Sequence, residues 1–110
     1  MTLEKISNEL KLTKVYEFNE KEDVKHGYVC DLLSEVMGKA PQNTIWVTVQ
    51  SHLNIIAVAV IVGIKAIIIT NSHKVDEKTI KKAKEENVGI YYSNDNSFIV
   101  SGKLYSIGIK

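Results

Sequence analysis

The sequence predicts an α/β fold: a small sheet, two-layer or three-layer, largely parallel in its C-terminal half. Three observations carry this. The stretch from Thr44 to Ser72 holds two apolar, β-branched runs, Ile45–Val49 and Ala66–Thr70, joined by the apolar segment Ile55–Val62, as in a βαβ unit. After Thr44 the chain repeats one plan, strand then polar turn then helix, with turns at Gln50–Asn54, Thr70–His73 and Ser93–Ser97. Between the first two turns the strands are continuous hydrophobic runs, the mark of parallel strands buried on both faces.

Taken in order, Thr2 caps a short helix whose apolar positions Leu3, Ile6 and Leu10 share one face. Val15-Tyr16 reads as a brief strand and Glu17–Lys25 as a solvated turn. A second strand runs from Val24 to Cys30. Asp31 sits where an N-cap would, ahead of Leu32, Leu33 and Val36; Gly38 ends that helix and Pro41 prevents a restart.

The segment Ile55–Val62 is rich in residues that favour strands, and a hairpin at Ser51–Asn54 competes with a helix there. The helix reading rests on Asn54 as cap, Gly63 as stop and the buried run Ala66–Ile69 that follows. A helix apolar all round must be covered on most sides, so this one should be central. The next helix, Asp76–Asn87, has Asp76 as cap, Ile80 and Ala83 inward, and acid–base pairs four apart on its surface. Val88–Tyr92 gives a further strand. The last helix, about Ser97 to Ser106, carries two apolar rows: Val100, Leu104 and Ile107, and Phe98, Gly102 and Tyr105. One row meets the sheet; the other needs a second partner, which predicts a homodimer.

Composition narrows the function. The 110 residues form one expected domain, 1–110, with a formal net charge of +1, so nothing demands nucleic acid or an anionic membrane. All 14 basic residues are lysine, which excludes bidentate arginine clamps on phosphate or carboxylate. Cys30 is the single cysteine and reads as a small core residue, without disulfide or metal motif. The N-terminal Met-Thr-Leu-Glu-Lys lacks a signal-peptide layout, and the apolar stretch Ile55–Ile69 is interrupted by Gly63 and Lys65. A soluble, cytoplasmic protein is expected.

The strand-end turns are the expected small-molecule site: Gln50, Ser51, His52, Asn54, Thr70, Asn71, Ser72 and Asp95. They carry amides, hydroxyls and a histidine, which suit a small polar or modestly anionic ligand better than a polyphosphate. His52, His73 and Asp95 could meet there as zinc ligands or as an acid–base set, but no HxxxH or HxH spacing accompanies them, and no metal or other cofactor is expected. The serines lack a GxSxG elbow, and no GxxxxGK[ST] occurs. Three functions stay open: a non-catalytic regulatory module that binds such a ligand and acts on a protein partner, a purely protein-binding accessory subunit, or a small enzyme using His52 and Asp95. The first is the preferred expectation.

From Tyr28 to the C-terminus the chain resembles the DRTGG domain, a family related in fold to the N-terminal domain of HPr kinase/phosphorylase. The words that carry the likeness are Gly27-Tyr28-Val29-Cys30-Asp31-Leu32-Leu33-Ser34, Trp46-Val47-Thr48 leading into Asn54-Ile55-Ile56-Ala57-Val58-Ala59, Gly63–Thr70, and Lys84–Val88. Where the family commonly has Gly-Asp-Arg this chain has Gln50-Ser51-His52, and where it has Thr-Gly-Gly the chain keeps Thr70 before Asn71-Ser72. It is similar to the short stand-alone branch sometimes found beside hydrogenase-related proteins. The resemblance implies an accessory or regulatory module that dimerises, without kinase activity.

Overall fold

The computed structural model describes Met1–Lys110 throughout. Ten elements follow one another: α1 (Leu3–Leu10), β1 (Thr13–Lys14), β2 (His26–Val29), α2 (Leu33–Lys39), β3 (Thr44–Thr48), α3 (Asn54–Val62), β4 (Ile64–Ile69), α4 (Glu77–Glu86), β5 (Gly89–Tyr92) and α5 (Ser97–Ser106). The five strands form one sheet in the order β1-β5-β4-β3-β2. β2 through β5 are parallel, and β1 lies antiparallel on the β5 edge.

Each continuous apolar run is divided by the pleat between two cores. Trp46, Ile67, Ile69 and Ile90 point to the face covered by α2, α3 and α4. Ile45, Val47, Ala66, Ile68 and Tyr91 point to the face covered by α1 and α5. The fold is therefore three-layered. Three successive crossovers step the same way from β2 to β5, so their helices share one face. After β5 the chain leaves to the other face. Gly63, in the left-handed region at φ 88°, lets α3 stop and β4 begin with one residue between them.

Several local expectations need correction. The first strand is Thr13–Lys14, not Val15-Tyr16: the Val15 N–H still donates to Ile90 O, but the Tyr16 hydroxyl is drawn inward to the carbonyls of Ala83 (3.1 Å) and Val88. Burial there pushes the Tyr16 phenol up to about 12. β2 starts at His26 because the Val24 N–H donates to Met1 O beside the Thr2–Asp23 bridge. α2 continues through Gly38 to Lys39, and Ala40, ahead of Pro41, closes it. α3 is a helix, not a hairpin, but it is not covered all round: Leu53, Val60 and Ile61 are 45%, 48% and 71% exposed.

Candidate functional site at the carboxyl ends of the strands

The loops after β2, β3, β4 and β5 open on one edge of the sheet, as parallel pairing requires. Asp31 ends β2. It does not cap α2, whose N-cap Leu32 makes no side-chain bond. Instead Asp31 Oδ1 accepts from Thr48 Oγ1 (2.7 Å) and the Val49 N–H (3.0 Å), locking the end of β2 to the end of β3. The Gln50 side-chain amide donates to Asp31 O at 2.9 Å, and its backbone N–H to Thr48 Oγ1 at 3.1 Å.

The turn that follows is built differently. Asn54 is the first residue of α3 and not its cap; the cap position holds Leu53, which has no side-chain acceptor. The backbone N–H groups of Ser51, His52, Leu53 and Asn54 donate to no acceptor in the chain. They form a patch of positive partial charge, reinforced by the α3 dipole. Ser51 O accepts from Thr79 Oγ1 at 3.2 Å, which ties this turn to the start of α4. Exposed His52 lies near enough to Asp76 to favour its charged form.

The β4 turn is closed by the β5 turn. Thr70 is fully buried, with Oγ1 2.8 Å from Ser97 Oγ, so its hydroxyl serves the junction of β4 with α5. Asn71 and Ser72 both take left-handed backbone, φ 60° and 62°, a conformation in which glycine is at ease. The Asn71 N–H donates to Asp95 O (2.8 Å), the Ser72 N–H to Ser93 O (3.1 Å), and Ser72 Oγ to Asn94 Oδ1 (2.9 Å). Asp95 Oδ2 accepts from Lys103 Nζ at 2.9 Å. His52, His73 and Asp95 are not gathered into a cluster that could hold a metal ion. Nor do they form an acid–base set in which one orients the next.

Two features escaped the sequence reading. Lys74 Nζ stands 4.1 Å over the Tyr92 ring, whose hydroxyl accepts from the Val75 N–H at 3.1 Å; a lysine beside a turn carries no local signal of an aromatic partner across the edge. Asp31 was visible only as a capping residue type, and its real partners lie on the neighbouring strand. α4 and α5 differ from α3 in having a side-chain cap at this edge, which takes one N–H of each first turn; the N–H groups of Asp76 to Lys78 and of Asn96 to Phe98 donate to no acceptor in the chain. Asp76 accepts from the Thr79 N–H at 2.9 Å and Asn96 from the Ile99 N–H at 3.0 Å.

A depression of about 280 Å³ lies beside the β5 turn, lined in part by Lys11, Ser93, Asp95 and Lys103. A larger cleft, about 510 Å³, opens at the opposite edge between Phe18, Val60, Gly63, Lys65, Asn87 and Gly89. It faces the carbonyl ends of α3 and α4, which disfavour anions. Phe18 packs directly on Gly89 there: a Cβ on Gly89 would fall 2.4 Å from Phe18 Cε2. The carboxyl-end loops are the better candidate site on charge, although the depression beside the β5 turn is lined by the end of α1, the β5 turn and Lys103 and not by Ser51 to Asn54.

No family model matches the sequence, and no curated protein is similar to it. Among solved structures, the chain is similar to the CBS and DRTGG domains of the regulatory region of Clostridium perfringens pyrophosphatase, complexed with the activator diadenosine tetraphosphate. The TM-score is 0.70 at 15% identity, over 94% of this chain and 45% of that one. The chain thus spans less than half of that structure's length. At this identity the likeness concerns the fold: the chain has the three-layer α/β fold of a DRTGG-like domain.

Proposed function

We propose that residues 1–110 act as one DRTGG-like regulatory module, non-catalytic and cytoplasmic, that binds a small polar or modestly anionic ligand at the carboxyl ends of the strands and acts through a protein partner. One observation carries the reading: four consecutive backbone N–H groups, Ser51 to Asn54, lack acceptors at the start of a helix whose neighbours α4 and α5 are capped by their own side chains. His52 stands in the same turn, where its ring N–H can donate to an anion. Gln50, Asn71, Ser72 and Asp95 form the rim, with Thr70 holding the β4 turn from beneath.

Asp31 and Asp76 at the same edge, with no arginine anywhere in the sequence, set a limit on ligand charge. The regulatory neighbour's complex with diadenosine tetraphosphate supports a phosphate-bearing ligand class. The limit on charge favours a monophosphate or a carboxylate over a long polyphosphate. We further propose that the module works as a homodimer, leaving one exposed apolar surface for the partner.

A thermal-shift panel with inorganic phosphate, AMP, diadenosine tetraphosphate and small carboxylates tests the reading, since a ligand of the native state raises the melting temperature by mass action. A shift that vanishes in His52→Ala supports it. The absence of any shift across the panel, with co-purification of a protein, would favour the purely protein-binding accessory subunit instead.

A further inference from the structure

The outer side of α3 is a solvent-facing helix surface without a polar side chain beyond its first residue. Leu53, Ala57, Val60 and Ile61 follow one another at i, i+4, i+7 and i+8, and all are exposed. α4, beside it, shows solvent a charged face, as an uncovered helix does. A helix apolar on every side is covered in its working state. Nothing in the chain covers this stripe.

We infer that α3 covers itself: two copies of the chain pack across a two-fold axis that passes by Ala57. The stripe is self-complementary about that residue. Leu53 and Ile61 stand four positions on either side of it, so antiparallel copies place Leu53 of each against Ile61 of the other, with the small Ala57 at the point of closest approach. The flanking helices fit the same operation. An axis across the helices sets α2 on α2 and α4 on α4 in opposite directions. α2 carries exposed Glu35 and Lys39, which within one chain already stand 3.6 Å apart, and α4 carries exposed Lys78 near its start and Glu85 and Glu86 at its end, so antiparallel copies bring opposite charges toward each other. Antiparallel α3 dipoles are also favourably opposed.

A second apolar face, Phe98 and Tyr105 on α5, is 85% and 62% exposed. Two different two-fold contacts on one chain would build a tetramer or an open polymer, so a dimer uses one of them. The α5 surface is interspersed with Ser101, Lys103 and Ser106, as α3's is not, and is left to the protein partner. This inference rests on the proposed dimer and is independent of ligand binding.

Light scattering at micromolar concentration on wild type, Ala57→Glu, Ile61→Lys and a Phe98→Ser/Tyr105→Ser double variant tests it, with circular dichroism to check folding. Wild type and the α5 variant are expected at twice the 12.3 kDa chain mass, and both α3 variants at the chain mass. In a Cys30→Ser background, Ala57→Cys is expected to form an intermolecular disulfide on oxidation, because residues at a two-fold contact approach within bonding range. This readout stands even if one charged variant fails to fold. A dimer that survives in the α3 variants and is lost in the α5 variant overturns the inference while leaving the dimer. A monomeric wild type overturns both, and if that monomer sediments with phosphatidylglycerol vesicles, the stripe is a membrane face.

Discussion

α3 and α4 are neighbours of nearly equal length, nine and ten residues, on the same face of the sheet, and they are built on opposite principles. α4 is complete in itself. Asp76 caps it, Glu77 sits in its first turn, Asn87 closes it in a left-handed conformation, and Lys82 pairs with Glu85 and Glu86 at 3.8 and 3.3 Å. α3 has no charged residue, no side-chain cap and no polar outer face. Its stability comes from Ile55, Ile56, Val58, Ala59 and Val62 packed below it. α4 thus supplies its own cap and its own charged surface. A helix that leaves amides open at its start and carbon along its side is available for contact at both places.

Substitutions can break or sharpen that contrast. The largest effect is expected for Ile56→Ala: the side chain is fully buried under α3, and its loss should lower unfolding free energy by about 2–5 kcal/mol in urea titration. Ile80→Ala, at a partly buried position of α4, should cost clearly less. Equal losses would mean that α4 depends on the core as heavily as α3 does. Next comes Ser72→Gly in the turn between β4 and α4. A serine held at φ 62° gives way to a residue at ease there, so stability should rise by about 1 kcal/mol. A fall would show that the Ser72 Oγ bond to Asn94 outweighs the backbone cost.

A smaller effect separates the two helix starts. Asp76→Ala should lower the melting temperature measurably, whereas Asn54→Ala should leave it unchanged, since Asn54 caps nothing. Hydrogen bonds from the Thr79 N–H and hydroxyl, with His52 adding to them, hold the Asp76 carboxyl below its ordinary value of 3.8. A depressed carboxyl stabilises the folded chain fully above the unfolded value, and that stabilisation is lost as pH falls through the folded one. The gap between wild type and Asp76→Ala should therefore be constant at neutral pH and close only in acid. The smallest effect is expected for Lys82→Ala, about half a kcal/mol or less, because both its ion pairs are exposed.

The parts of the fold that could be read in the sequence were those whose signals are local. Asp76 and Asn87 bracket α4, the bounds Ser97 to Ser106 of α5 match, and Gly63 turns the chain where its φ requires. The errors fall where a residue with a local role is used over a distance. Asp31 has the chemistry of a cap and is taken by Thr48 and Val49 on the next strand. Thr70 looks like a ligand-facing hydroxyl and is buried against Ser97. Val24 continues the apolar pattern of β2 in sequence, yet its N–H donates to Met1 O. The composition of α3 shows that its outer side needs cover, yet it carries no information on whether that cover comes from the same chain. At the candidate site the turns themselves were legible as clusters of Asn, Ser and His, but the open amides were not. They arise from a missing cap at Leu53, which is legible only once the helix start is placed.

The central claim is that the amides at the start of α3 hold the ligand. Amide chemical shifts in a ¹⁵N–¹H correlation spectrum, recorded during titration with AMP and with inorganic phosphate, test it residue by residue. The predicted result is that the largest saturable changes fall on Ser51 to Asn54, while the Thr79 and Ile99 amides, already committed to Asp76 and Asn96, stay nearly still. Largest changes around Phe18 and Gly89 at the opposite edge, or saturable changes spread over all three helix starts alike, would contradict it.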